Sequence, residues 1–428
     1  MKTLITVTLS MFCSLNVLIS QPWTEVTTGV TTPLTSVSKY DPGNCWVCGS
    51  GGVVLRCSNL GYNWSNVSGN GLPSNISLVN IFGVSASTAL TAGYIGSTTY
   101  VYKTSNSGAN WSLVFTQANG FINGIWFNGS LNGFMTGDPV GGRWSLWKTS
   151  NGGTNWDSTG MYLLQRNGEL GWNNSLYRFG NETWFGTDKA RIYHSTTGGA
   201  PWDSQLTGAN SNIRTIFVKK DYPPYIGFAG GDSLSRTTNN GAMWNISRAA
   251  GSNSINGFAF LPSGSFGWYS RFNGNIYFKR EGDSLWSTQY TAPAGNYLHL
   301  SAIRTDMESW YGNVFAVRDN GGISRLFYTL ENINIVSKEI PETFSLSQNY
   351  PNPFNPVTNI GFQIIKSGLV QLAVYDALGK EIASLVNQQL QPGTYEAAWD
   401  ASAYPSGVYF YKLTANGFTD TKKMVLIK

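Results

Sequence analysis

Charge is scarce in this chain: Asp, Glu, Lys and Arg together make up 12% of its 428 residues, about half the usual share. The net charge of +5 is spread without any Lys/Arg run, so no nucleic-acid surface is expected. Histidine is scarcer still, with His194 and His299 alone. Cysteine appears four times, and Cys45-Trp-Val-Cys48 has no fourth soft ligand near it in the sequence, so no metal site is read. Positions three apart in a strand point to opposite faces, which further separates that pair. Cys48 and Cys57 instead flank the Gly49-Ser-Gly-Gly52 turn as near cross-strand neighbours, read as a structural disulfide or, with Cys45, as three buried thiols. No phosphate-binding glycine loop opening a helix and no nucleophile elbow occurs, so no cofactor is expected.

Long apolar runs are also missing, with one exception. Met1-Lys2 followed by the apolar stretch Leu4 to Ile19 has the make-up of a secretory signal peptide, residues 1–20, with cleavage near Ser20 or Gln21. It holds Cys13 and is short for a membrane span, and no other stretch is read as a transmembrane segment. What the chain does have is 49 glycines, 41% apolar residues and 14% aromatics, arranged in short runs between turn residues. That is the text of an all-β protein with a large core.

One phrase recurs five times: Cys57-Ser-Asn-Leu-Gly61-Tyr-Asn-Trp64, Thr104-Ser-Asn-Ser-Gly108-Ala-Asn-Trp111, Thr149-Ser-Asn-Gly-Gly153-Thr-Asn-Trp156, Ser195-Thr-Thr-Gly-Gly199-Ala-Pro-Trp202 and Thr237-Thr-Asn-Asn-Gly241-Ala-Met-Trp244. The glycines fall 47, 45, 46 and 42 residues apart, a period that implies an array of small sheets. Small polar side chains can bond backbone N–H groups nearby, glycine supplies a positive φ, and the tryptophan opens the next strand against a neighbouring unit. The phrase resembles the Asp-box, Ser-x-Asp-x-Gly-x-x-Trp, of sialidases, photosystem II assembly factor-like propellers and xyloglucan-processing hydrolases. Asn59, Asn106, Asn151 and Asn239 stand at the Asp position, and Thr197 in the fourth copy. The resemblance implies a turn device and supplies no catalytic residue.

Upstream of each turn lie a strand spaced apolar-x-x-apolar, as in Leu78-Val-Asn-Ile81, and a second strand ending in a small residue and glycine, as in Ala92-Gly93. With a third strand and the Trp strand, each unit reads as a four-stranded propeller blade. A sixth unit ends in the degenerate Arg280-Glu-Gly-Asp-Ser-Leu-Trp286, and a seventh keeps only Arg318-Asp-Asn-Gly-Gly322 and lacks a Trp strand. Pro22-Trp23-Thr-Glu-Val26 is a Trp strand without a blade, so it should complete the seventh and close the ring. The expectation is a seven-bladed β-propeller over 22–330, a linker over 331–343, and a small antiparallel Ig-like β-sandwich over 344–428.

The last segment carries its own phrases. Tyr350-Pro351-Asn352-Pro353-Phe354-Asn355-Pro356 and the terminal Lys423-Met424-Val-Leu-Ile-Lys428 closely resemble the type A C-terminal sorting domain of the type IX secretion system of Bacteroidetes and related bacteria. The resemblance implies export, the secretion machinery as partner, removal of the tail with surface attachment or release, and a secreted or cell-surface destination.

Function is less legible. Asp138, Asp188 and Asp232 follow the second strands of three successive units and should share one rim, where two carboxylates of opposite protonation could act as acid and base on a glycosidic bond. Arg143 and Arg191 could hold an anionic or hydroxyl-rich substrate. Asp and Gly are equally what tight turns contain. Trp126, Trp144, Trp147, Trp172, Trp184 and Trp310 are surplus to the repeat and offer either interblade core or sugar-stacking faces. The sequence therefore points to a non-catalytic binding or scaffold module for glycan or protein, with a glycoside hydrolase as the alternative.

Overall fold

A computed structural model describes residues 16–20, 22–208, 212–219, 226–261, 266–280, 283–302, 311–337, 339–401 and 404–428; most of the signal segment, including Cys13, and Trp310 lie outside the described residues. The fold is all-β and divides into two compact units, one of them Ser20–Tyr328 and the other holding Thr329–Lys428.

The larger unit is a succession of small antiparallel sheets. The first is Leu34–Lys39, Cys45–Gly49, Val53–Cys57 and Trp64–Asn66, paired in chain order. Later sheets begin at Ser77–Gly83, Ile122–Asn128, Gly171–Phe179, Ile213–Lys219, Ile255–Phe260 and Tyr297–Ser301. Their first strands explain the apolar-x-x-apolar spacing. The register slips by one residue between Leu78 and Asn80, Ile122 and Gly124, Ile213 and Thr215, and Ile255 and Gly257. A bulge at that place turns residues three apart onto the same face, and Leu78 and Ile81 belong to one core cluster. The glycine ending each second strand has an equally local cause. A Cβ on Gly49 would lie 2.2 Å from the Pro33 carbonyl oxygen, and one on Gly137 2.6 Å from that of Phe121, so only glycine lets the chain entering the first strand come so close.

Three parts of this unit differ from the reading of the sequence. The sheet that starts at Ile122 has three strands; after Trp156 the chain makes two isolated bridges to the third strand, Lys148 to Asp157 and Arg143 to Leu164, and between them it bends where the Asp157 carboxylate accepts the Thr159 N–H and hydroxyl. Arg318-Asp-Asn-Gly-Gly322 is not a remnant of the repeated turn, because it joins the second strand, Tyr311–Arg318, to the third, Ile323–Ser337. Register places Cys57 opposite Cys45 and Val54 opposite Cys48, so Cys48 and Cys57 are not partners; all three thiols are buried and free. The strand Thr24–Val26 pairs with Ile323–Arg325 of the last sheet.

The second unit contains two antiparallel sheets. One orders the C-terminal part of Ile323–Ser337, then Gly393–Asp400, Val357–Ile364 and Ser345–Leu346. The other orders Glu381–Leu390, Gly368–Tyr375, Gly407–Ala415 and Phe418–Leu426. Alternate residues of both, among them Ile360, Phe362, Leu372, Val374, Trp399, Tyr411 and Met424, form one core. The segment 331–343 does not run free throughout: Ile333, Asn334, Ile335 and Ser337 pair with residues of Gly393–Asp400.

Candidate functional site

The five repeated turns are made by the same short bonds. The Thr104 hydroxyl accepts the Gly108 N–H at 3.0 Å, and Asn106 Oδ1 accepts the Asn110 N–H at 3.0 Å. Thr149 and Asn151 serve Gly153 and Asn155 alike, as Thr237 and Asn239 serve Gly241 and Met243. In the first copy Cys57 Sγ replaces the hydroxyl, 2.9 Å from the Gly61 nitrogen, and Asn59 Oδ1 accepts the Asn63 N–H. Asparagine suffices because the turn uses an acceptor oxygen and no charge. The fourth copy keeps the Ser195 to Gly199 bond, but Pro201 has no N–H to offer where the others donate, and there Thr197 replaces asparagine.

These turns face the preceding sheet. A Cβ on Gly108 would meet Val67, one on Gly153 Leu90, and one on Gly241 Gln205. The Trp111 indole N–H donates to the Val67 carbonyl at 3.1 Å, and Trp244 donates to Gln205 at 3.2 Å. For the first sheet the neighbour is the last one: Gly61 faces Phe315, and Trp64 meets the same ring edge-on at 5.4 Å. Trp156 and Trp202 pack edge-on against Phe127 and Phe185.

Asp188 and Asp232 stand just after a second strand, whereas Asp138 lies within one, Asn132–Val140, which runs further than the sequence suggested; each of the three bonds to the backbone or side chain around the start of a first strand. Asp138 accepts the Gly171 N–H at 2.8 Å, Asp188 accepts the Leu170 N–H at 2.9 Å, and Asp232 accepts the Asn212 amide at 3.0 Å. Asp319, which the sequence did not bring to attention, does the same for the Asn296 N–H and side chain, both at 2.8 Å. Its place in the Arg318-Asp-Asn-Gly hairpin was the available signal. Burial pushes the Asp138 carboxyl above the usual carboxylate range, the bonds from Gly171 and Asn123 oppose the shift, and the Asp188 charge adds to it. Asp138 and Asp188 thus lie within electrostatic reach of one another, whereas Asp232 acts on Arg214.

The two arginines part company. Arg143 is exposed, its guanidinium 4.4 Å over the Tyr162 ring. Arg191 is committed to a fully buried carboxylate: its Nε lies 2.6 Å from Glu169 Oε1, and the Tyr193 hydroxyl donates to Glu169 Oε2 at 2.8 Å. Nothing in the loop Asn167-Gly168-Glu169 marks that glutamate as buried. Of the surplus tryptophans, Trp144 and Trp184 are core, while Trp126, Trp147 and Trp172 are half-buried, the last beneath Arg214 at 4.0 Å.

The first strand of every sheet contributes to a central cavity of about 140 Å³. It is crossed by polar bonds. Ser36 and Asn80 donate to Asn174 Oδ1 at 2.8 and 2.7 Å, and Asn174 Nδ2 donates to the Thr35 carbonyl at 3.1 Å. His299 Nδ1 accepts the Val37 N–H at 3.1 Å, and burial pushes its pKa down to about 4. Among the described residues no group of three or more His, Cys, Asp or Glu could hold a metal ion, and no helix is long and apolar enough to cross a membrane.

In the second unit the two ends of the sorting phrase come together. The Phe354 N–H donates to the Val425 carbonyl and its own carbonyl accepts the Ile427 N–H, both at 3.0 Å, while its ring is buried 5.5 Å from Trp399. Asn352 Oδ1 accepts the Val425 N–H at 3.0 Å and Asn352 Nδ2 reaches the Lys423 carbonyl. Ala401 donates to the Pro356 carbonyl. Met424 is buried; Tyr350, Pro351, Asn352, Pro353, Asn355, Lys423 and Lys428 are exposed, Tyr350 by 81%.

Residues 348–428 match the family described as Secretion system C-terminal sorting domain. A tail of this family implies export by the type IX secretion system to a secreted or cell-surface destination. No curated protein matches the chain. Among solved structures it is similar to "YCF48 bound to D1 peptide" at TM-score 0.57 and 14% identity, covering 74% of this chain and 99% of that one. It is similar also to YCF48 from Cyanidioschyzon merolae, at TM-score 0.54 and 18% identity over 71% and 98% of the two chains. The WD40 β-propeller domain of Doa1 follows at TM-score 0.53 and 12% identity, over 73% and 97%. At these identities the likeness is one of fold: the sheets ahead of the sorting tail are β-propeller-like.

Proposed function

We propose that the chain is an exported seven-bladed propeller with Asp-box-like turns, followed by an Ig-like sorting sandwich, and that the propeller is a binding or scaffold module for glycan or protein. The observation that carries the choice of binding over hydrolysis is the engagement of the rim carboxylates: Asp138, Asp188 and Asp232 each hold a neighbouring segment in place, as Asp319 does in the last sheet. The pairing of Thr24–Val26 with the last sheet and the packing of Gly61 on Phe315 support ring closure, and the shared bonds of the five turns support the Asp-box assignment. Residues 1–20 are read as a cleaved signal, and the tail as the segment the secretion machinery takes hold of through Tyr350–Pro356 and Lys423–Lys428.

One observation favours hydrolysis: burial raises the Asp138 carboxyl above the usual carboxylate range, as a general acid requires. A polysaccharide and glycan panel incubated with the full chain, scored by mass spectrometry for both retained and released sugars, separates the readings. Retention without release is the expected result. Release that Asp138→Ala abolishes at unchanged melting temperature would make the protein a glycosidase.

A further inference from the structure

The cleft between the fifth and sixth sheets is built unlike the rest of the surface. Two cross-strand rows face each other there. Phe217, Phe228 and Arg236 run across one sheet, and Phe260, Gly267 and Lys279 across the next. The inner ends of the rows are fused: the Phe217 and Phe260 rings stack at 3.9 Å and 13°, Phe228 lies parallel to Phe260 at 5.4 Å, and Trp286 closes the floor edge-on to Phe228. The outer ends are both cationic, and Lys219 and Arg280 flank them, so four of the ten residues lining the cleft are basic. Lys and Arg supply only 28 of the 428 residues of the chain, and no carboxylate is among the described residues that line this space.

Cations brought together beside an apolar floor repel one another and lose hydration, a cost that a bound anion removes. Both effects reach Lys279: partial burial lowers its pKa first, the Arg236 charge lowers it further, and Asp283 opposes them. The Asp283 carboxylate already accepts the Arg280 backbone N–H at 2.9 Å. The cavity measures about 100 Å³, less than the roughly 150 Å³ that takes a benzene ring. A branched aliphatic side chain fits this space. Phe217, Phe260 and Trp286 are too deeply buried to offer a pyranose ring a stacking face.

Resting on the binding-module reading above, we infer that this cleft is a docking site for an acidic peptide segment of a protein partner, with one aliphatic side chain seated on the half-buried Phe228 ring and flanking carboxylates against Arg236 and Lys279. The test is fluorescence polarisation of the full chain with three labelled peptides: leucine flanked by glutamates, the same with alanine for leucine, and leucine flanked by lysines. The glutamate–leucine peptide is expected to bind best and to weaken as salt rises. The variant carrying Arg236→Glu and Lys279→Glu should lose about tenfold or more in affinity. Arg236→Gln with Lys279→Gln, which adds no new charge, should show a smaller loss in the same direction. Equal binding of the glutamate and lysine peptides, or undiminished binding by folded variants, overturns the assignment. A glycan retained equally by the wild type and both variants would overturn it too, while leaving the binding-module reading standing.

Discussion

The repeated turns of the propeller and the proline-rich segment of the tail are both tight, exposed corners, yet they are held in opposite ways. In a turn such as Thr104–Trp111 the decisive bond spans four residues, from Gly108 to Thr104. In the tail the corner at 348–354 is held by residues 71 to 75 positions further on, through Gln348 and Asn352 to the Lys423 carbonyl and through Asn352 to Val425. The first kind of corner is complete as soon as its own octapeptide is made, so it can be copied along a chain. The second exists only when the last strand has arrived, which makes it a report that both sheets of the second unit have folded.

Substitutions can break this contrast at either side. The largest effect is expected from Phe354→Ala, which empties a core position under Trp399 and should cost about 3–5 kcal/mol; hydrogen exchange should then accelerate at Val425 and Ile427 while the propeller amides stay protected. Gly108→Val should cost about 3 kcal/mol, because φ is +85° and a Cβ would sit 2.6 Å from Val67. Gly129→Ala, at a φ of +69° with open space around it, should cost about 1 kcal/mol by the same denaturant titration. Thr104→Val removes the acceptor of a buried N–H and should cost about 2 kcal/mol.

A third kind of fastening, neither local nor within the tail, is the clasp on the N-terminal strand. Arg318 and the Ser324 and Tyr290 hydroxyls donate to the Glu25 carboxylate. Burial raises the Glu25 pKa, but these bonds outweigh it and hold the carboxyl below its ordinary value. The clasp therefore stabilises fully above the pKa of a free carboxylate and is lost as pH falls through the lower folded value. The melting temperature of the wild type should exceed that of Glu25→Gln at about pH 6, with the gap closing towards about pH 3. The smallest effect is expected from Thr197→Asn, within about 0.5 kcal/mol, since Pro201 leaves the new side chain no N–H to accept.

How far the sequence could be read follows the same division. The repeat, its period and the glycine at each turn were visible because their causes lie within eight residues. The bulge behind the apolar-x-x-apolar spacing was visible as a pattern but not as a cause. The missing strand after Trp156 was hidden, since Asp157 is an ordinary residue until its carboxylate captures Thr159. Cysteine register was misjudged because the turn at Gly49–Gly52 sets which residues face each other, and it places Cys57 opposite Cys45 and Val54 opposite Cys48. Asp188 and Asp232 fall after their second strands as the hairpin glycines suggested, while Asp138 lies inside Asn132–Val140, and the burial of Glu169 against Arg191, which commits one of the two candidate arginines, left no mark in the sequence.

The pairing of Thr24–Val26 with Ile323–Arg325 also sets an order of events. Bringing together segments some 300 residues apart, as in the bond from Thr24 to the Arg325 carbonyl, costs about 5 kcal/mol in chain entropy if nothing between them has formed, so this seam should be among the last contacts made. A polypeptide emerging from its amino end would therefore keep its last sheet incomplete until residue 325 had followed. The earlier sheets, each paired within its own stretch of chain, need not wait for that seam, so the last sheet is the one whose completion depends on both ends of the unit.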